Sequence, residues 1–196
     1  MMEHEIQNAL KVLRGGGTIL YPTDTIWGIG CDATNEKAVG KIYNIKQRED
    51  KQGLIALVSD DGMLNRFVKD VPEMAWDLIG ISNNEDDYEE EKPLTIIYDA
   101  GRGFAKNVLA DDGSIGIRMV KDDFCQRMIH KFSKPVVSTS ANISGTPAPQ
   151  NFSEISDEII KVVDYVVNWR QHENGNAKPS SIIRLKGNGE FQIIRQ

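Results

Sequence analysis

Cysteine is almost missing from this chain: 196 residues contain only Cys31 and Cys125. The two stand far apart, with no His or Cys companion at metal-ligand spacing, which argues against a disulfide framework and against a zinc site. Unpaired thiols suit a reducing cytoplasm. Histidine is nearly as scarce, and His4, His130 and His172 have no catalytic company, so neither a Ser-His-Asp nor a Cys-His arrangement is defensible. Long apolar runs are also missing. No stretch approaches the length of a membrane span, and residues 1–13 are charged and amphipathic rather than a signal peptide. Cations are outnumbered, 23 Lys and Arg against 29 Asp and Glu, for a net charge of −6. Such a surface repels nucleic acid and anionic lipid, which argues against a general RNA binder but leaves room for a local basic cleft that holds phosphate.

What is present is enough apolar material, 40% of residues, for a sizeable core in one domain spanning 1–196. Ile6, Leu10 and Leu13 recur at helical spacing and stop at Gly15-Gly16-Gly17, where glycine can end a helix. Residues 18–21 read as a buried strand. Pro22 halts it and opens a turn carrying Thr23, Asp24 and Thr25, with Gly28 and Gly30 beyond. Helical periodicity over 36–45 predicts that Lys46 and Arg48 lie at or just after a helix C-terminus. Further strands are predicted at 54–58, 94–98, 115–119, 135–138, 165–167, 181–185 and 191–195, and helices at 68–79 after Pro72, 122–132 and 154–163. Residues 82–92 are too acidic to bury and predict an exposed loop. The intermixed elements, with two neighbouring strands at the end, predict an α/β fold with a mixed rather than purely parallel sheet.

Two polar clusters dominate. Lys46-Gln47-Arg48 offers two cations on alternating positions. Ser138-Thr139-Ser140-Ala141-Asn142-Ile143-Ser144-Gly145 offers hydroxyls and an amide beside a tight turn. Together they form a receptor for a polyanion such as a nucleoside triphosphate and point to an ATP-using enzyme. Each has a plainer reading. Lys46 and Arg48 taken alone would more often be a solvated helix end, where cations complement the macrodipole, and Asn and Ser are common turn formers. Arg118 either faces solvent from its strand or clamps a carboxylate with its planar fork. The three glycines at 15–17 are not a Walker loop, since no Gly-Lys-Ser or Gly-Lys-Thr follows.

In order along the chain, Tyr21-Pro22-Thr23-Asp24-Thr25-Ile26-Trp27-Gly28-Ile29-Gly30-Cys31-Asp32-Ala33, Ile45-Lys46-Gln47-Arg48, Gly116-Ile117-Arg118, the 138–145 segment and Lys178-Pro179-Ser180-Ser181-Ile182-Ile183 resemble the successive signatures of the YrdC-like family, the threonylcarbamoyl-AMP synthases. Five dispersed motifs in one order are more specific than any one of them. The resemblance implies an open twisted mixed sheet flanked by helices and enclosing a deep, locally basic cavity. It also implies a reaction: L-threonine, bicarbonate and ATP condense to threonylcarbamoyl-adenylate and pyrophosphate, and other proteins transfer the product to adenosine 37 of tRNAs reading ANN codons.

By the same resemblance, Lys46, Arg48, Ser140 and Asn142 form the nucleotide-phosphate signature. Lys46 and Arg48 neutralise charge on the reacting triphosphate, and Ser138 and Arg195 complete the ATP site. The Pro22-Thr23-Asp24-Thr25 turn and Arg118 hold threonine, with Ser180 closing the pocket and the choice between Thr23 and Thr25 left open. Magnesium is expected on the ATP phosphates, with no metal held by the protein alone. The chain departs from the family pattern at Glu49, commonly proline, at Gln52-Gly53 and at Trp27, commonly tyrosine. No additional C-terminal domain is expected beyond Arg195. The alternative function is a nucleotide-binding or double-stranded-RNA-binding protein without synthase activity, for which a weak contact with tRNA or duplex RNA would suffice.

Overall fold

The computed structural model describes residues 1–47, 54–81, 93–173 and 179–196. Arg48, Glu49, Gln52, Gly53, the acidic 82–92 segment and Lys178 lie outside the described residues.

The chain begins with helix α1 (Met2–Arg14), where Glu3 and Glu5 occupy the first turn and Lys11 and Arg14 the last, each sign opposing the macrodipole end it sits on. Ile6, Ala9, Leu10 and Leu13 form its buried stripe. The helix stops at the glycines, Gly16 taking φ +72, a left-handed turn that a Cβ would strain. Strands β1 (Ile19–Tyr21) and β2 (Gly28–Gly30) follow, then α2 (Glu36–Lys46). Asn35 starts α2 by accepting the backbone N–H groups of Lys37 and Ala38. At its other end Gln47 adopts φ 49, which places Lys46 at the last helical position.

The remaining elements are β3 (Ile55–Val58), α3 (Asp61–Phe67), α4 (Glu73–Ile81), β4 (Leu94–Tyr98), β5 (Ile115–Met119), α5 (Asp123–Phe132) and β6 (Val136–Ser140). A 3₁₀ turn (Phe152–Glu154) leads to α6 (Asp157–Val162), β7 (Tyr165–Val166), β8 (Ser181–Leu185) and β9 (Phe191–Arg195). Asp60, Asp122 and Ser156 cap α3, α5 and α6 through their side-chain oxygens.

The described strands form one nine-stranded sheet in the order β7-β1-β2-β6-β3-β5-β4-β8-β9. The pairs β1/β7, β3/β5 and β4/β8 are parallel; β1/β2, β2/β6, β3/β6, β4/β5 and β8/β9 are antiparallel. It is mixed, as the intermixed elements predict, and open with helices flanking it, as the family resemblance implies. Its centre is apolar along β3 and the first half of β6, where Ala56, Leu57, Val58, Val136 and Val137 are fully buried. Burial of each such Leu or Val side chain contributes about 1.5–3 kcal/mol, and this burial holds β6 between β2 and β3. Helices α1 and α5 pack together, with Arg127 and Lys131 both reaching Glu3.

Two differences from the sequence reading stand out. β2 is a true strand although two of its three residues are glycine. The reason is proximity: a Cβ on Gly30 would lie 2.6 Å from both a Tyr21 ring carbon and the Val137 carbonyl oxygen. Helix α3, which the 68–79 prediction omits, occupies 61–67, while Val68 forms an isolated bridge with Gly101 and α4 begins only after Pro72.

Candidate functional site

Register brings the polar clusters together. Gly28 pairs with Ser140 and Ile29 with Thr139, while Ile55 pairs with Ser138 on the other side of β6. β6 therefore delivers the hydroxyl segment to the end of β2 from which the Pro22–Trp27 turn departs. The loop beyond β6 then docks on α2: Ser144 N–H donates to the Lys46 carbonyl at 3.1 Å. That carbonyl belongs to the last helical turn, where carbonyls need outside partners.

Lys46 is almost fully buried, 3% exposed, and its ammonium donates to Ser140 O at 2.7 Å, Asn142 Oδ1 at 3.1 Å and Ser140 Oγ at 3.3 Å. Asn142 works at both ends of its amide. Its Nδ2 donates to the Thr146 and Ile143 carbonyls at 2.5 and 3.1 Å, which fixes the turn, while Oδ1 faces the lysine. Gly145 completes the turn at φ +85. Ammonium, hydroxyl and amide thus form one preorganised network joining two segments distant in sequence.

Lys46, Ser138, Ser140 and Asn142 line a cavity of about 890 Å³, together with Thr25, Arg118, Ser180 and Arg195. Its described charged lining residues, Lys46, Arg118 and Arg195, are all cationic, in a chain whose net charge is −6. Arg195 donates twice to the Ser180 carbonyl, at 2.7 and 3.0 Å, and Ser180 Oγ shares a 2.8 Å hydrogen bond with Thr95. Burial, and then the positive charge of Arg118, pull the Arg195 guanidinium below its ordinary value. Mutual repulsion of two guanidiniums marks a place where an anion is favoured.

Arg118 is 3% exposed and does not face solvent; its Nη2 lies 3.0 Å from Asp24 Oδ1. Thr23 and Thr25 divide their labour. Thr23 Oγ1 donates to Ile26 O at 2.8 Å and accepts Thr25 N–H at 3.0 Å, so it is consumed in shaping the turn. Thr25 lines the main cavity and also a smaller adjoining cleft of about 180 Å³ that contains Thr23, Asp24, Gln150 and Arg170. Trp27 stacks at a tilt on Phe152, ring centroids 4.8 Å apart, packing the 3₁₀ turn against β2.

Every predicted site residue among the described ones therefore lines one of two clefts that share Thr25, Ile26 and Gln150. The sequence reading missed Thr95 and Gln150, and gave Asp24 no role of its own within the turn expected to hold threonine. Asp24 stood in plain view between two threonines; Thr95 carried no signal, because β4 reads as an ordinary apolar strand. Among the described residues no group of three or more His, Cys, Asp or Glu side chains could hold a metal ion, and no helix is long and apolar enough to cross a membrane.

Known proteins share this fold. The Sua5/YciO/YrdC family model, described as telomere recombination, matches residues 11–196. A threonylcarbamoyl-AMP synthase of Pseudoalteromonas translucida (strain TAC 125) is 30% identical over 178 residues, covering 90% of this chain and 91% of that protein. The crystal structure of E. coli YciO superposes with a TM-score of 0.81 at 23% identity, covering 100% of this chain and 90% of that one. P. abyssi Sua5 complexed with L-threonine superposes with a TM-score of 0.77 at 23% identity, over 92% of this chain and 50% of the longer Sua5 chain. At those identities the two structures speak for the fold, and the family model, spanning nearly the whole chain, settles kinship: the chain belongs to the Sua5/YciO/YrdC family.

Proposed function

We propose that this protein is a threonylcarbamoyl-AMP synthase, an ATP-dependent nucleotidyltransferase that condenses L-threonine and bicarbonate with ATP and releases pyrophosphate. One observation carries the reading: the buried Lys46 ammonium is held by Ser140 and Asn142 on the wall of a cavity whose charged lining residues are all cationic. The curated synthase relative and the threonine complex of the Sua5 neighbour support it.

The reaction needs positioning and charge neutralisation more than a nucleophilic side chain. Threonine nitrogen attacks the carbon of bicarbonate, water leaves, and a carbamate forms. A carbamate oxygen then attacks the α-phosphorus as pyrophosphate departs. Lys46, together with Arg48, neutralises the triphosphate, while Ser138, Ser140 and Asn142 fix its orientation as neutral donors. Arg195 holds the nucleotide from β9, an edge strand of the sheet. Arg118 takes the threonine carboxylate with its fork, and Ser180 and Thr25 complete that pocket. Thr25 is preferred to Thr23, whose hydroxyl the turn already uses.

No carboxylate is among the described lining residues of the main cavity, which suits magnesium carried in on the triphosphate and held by phosphate oxygens and water. When bound, it adds positive charge to the phosphates. The domain 1–196 acts as one unit around its continuous core, in a reducing cytoplasm that suits the buried free thiols of Cys31 and Cys125, and it passes its product to the tRNA threonylcarbamoyl-transfer machinery. A duplex-RNA binder is less well supported. Such a protein needs an exposed basic stripe, and Lys46 and Arg118 are 3% exposed.

The test is pyrophosphate release from ATP. Release that requires both threonine and bicarbonate supports the synthase; release indifferent to threonine, or none at all, overturns it.

A further inference from the structure

Asp24 is a buried carboxylate: its side chain is 10% exposed, and among the described residues neither Oδ1 nor Oδ2 has a hydrogen-bond partner. Arg118 Nη2 is 3.0 Å from Oδ1 but does not meet it at hydrogen-bonding angles, and among the described residues Arg118 Nε is likewise buried without a hydrogen-bond partner. Leaving such groups unpaired is costly. A carboxylate in this position ordinarily collects two or three donors. The described residues do not supply them, although Thr23 and Thr25 on either side of it are bonded to each other. Asp24 lines the smaller cleft, and Arg118 lines the main cavity. The two charges therefore stand side by side where the clefts adjoin, close to the shared residue Thr25.

A free amino acid presents the matching pattern. Its carboxylate and ammonium are separated by one carbon, so a receptor for both needs a cation and an anion in contact. Arg118 and Asp24 are such a pair. We infer that Asp24 accepts the α-ammonium of the amino acid whose carboxylate Arg118 holds, making it a specificity-determining residue that selects α-amino acids over other small carboxylates. The ammonium would supply the missing donors of Asp24, and the ligand carboxylate the missing acceptor of Arg118 Nε. This deepens the synthase reading and rests on it.

The probe is 3-hydroxybutanoate, which keeps the carboxylate and hydroxyl of threonine and lacks the ammonium. Binding of both compounds is measured by titration calorimetry with the whole protein. Wild type should bind threonine about 10- to 100-fold more tightly than 3-hydroxybutanoate, the range for loss of a charge-assisted hydrogen bond. In Asp24→Asn, threonine should weaken by a similar factor while 3-hydroxybutanoate and ATP bind as before, so the preference collapses. A merely structural role for Asp24 would weaken both carboxylates together and preserve their ratio, which overturns the inference. Equal binding of the two compounds by wild type also overturns it, and needs no variant to fold. Threonine that fails to bind wild type in the presence of ATP overturns the synthase reading as well, whereas threonine-dependent turnover with an unchanged preference in Asp24→Asn sinks only the role of Asp24.

Discussion

The Lys46 ammonium lies 3.1 Å from Asn142 Oδ1, across 96 residues of sequence. The contact joins a helix C-terminus to a strand-end loop, and each partner completes the other. Lys46 satisfies oxygens that the turn leaves facing inward, and Asn142 holds the lysine stem in one orientation.

Lys46→Ala is expected to raise the ATP requirement by about ten- to a thousandfold, as loss of a charge-assisted phosphate contact does. Threonine binding measured without ATP should be unaffected. Arg48→Ala should act in the same direction. Steady-state pyrophosphate release at varied ATP decides; wild-type ATP dependence in Lys46→Ala would remove it from the phosphate site.

Arg118→Lys should preserve the charge beside Asp24 and so keep the melting temperature near wild type. It should nevertheless raise the threonine KM by roughly tenfold, because an ammonium cannot present two parallel donors. Arg118→Ala leaves the Asp24 carboxylate buried without its counter-ion and should cost about 3–5 kcal/mol of stability. Equal shifts in the threonine and ATP requirements of the lysine variant would count against a carboxylate fork.

Gly30→Ala tests the close approach of β2 to its neighbours. The added methyl would meet the Tyr21 ring and the Val137 carbonyl at 2.6 Å, and neither can retreat easily from the centre of the sheet. A loss of about 1–3 kcal/mol is expected, read as a fall in Tm of roughly 2–10 °C. An unchanged Tm would mean that β2 has freedom to shift.

Glu5 gives the fold a pH dependence. Burial alone would raise its carboxyl, but hydrogen bonds from Tyr165 Oη and Asn168 N–H, both at 2.7 Å, outweigh burial and hold it below the ordinary value of 4.5. Its contribution is therefore fully present above the unfolded pKa and lost as the pH falls through the lower folded value. Urea titrations should show wild type losing stability below about pH 5, the region where an unfolded glutamate begins to bind protons. Glu5→Gln should be less stable at pH 7, with a flatter acid limb; parallel curves would refute the assignment.

Much of this was legible in advance, for reasons that differ by element. β5, β8 and β9 follow from β-branched runs bounded by turn formers, and α5 from an apolar stripe with an Asp122 cap. β2 was hidden because glycine chosen for close packing looks the same in sequence as glycine chosen for a turn. The predicted helix over 154–163 divides into a 3₁₀ turn and α6, since Ser156 caps a fresh start by accepting Ile159 N–H. In the site, Lys46, Ser140 and Asn142 announced themselves by type and motif order. Asp24 did not, because a carboxylate between two threonines reads equally well as a turn former, and only its unpaired burial beside Arg118 distinguishes the two.

The position of β6 between β2 and β3 has a kinetic consequence. Its partners have left the ribosome long before residues 136–140 emerge, so the hydroxyl loop and its lysine cannot meet until the latest of these strands inserts at the middle of an already formed polypeptide. Pairings of such long sequence separation pay loop-closure entropy before they gain contacts, which makes them slow. Insertion of β6 and docking of the hydroxyl loop on Lys46 should thus be one event, with Ser180 and Arg195 added as β8 and β9 emerge, and a ligand-competent fragment ending before residue 136 should not exist.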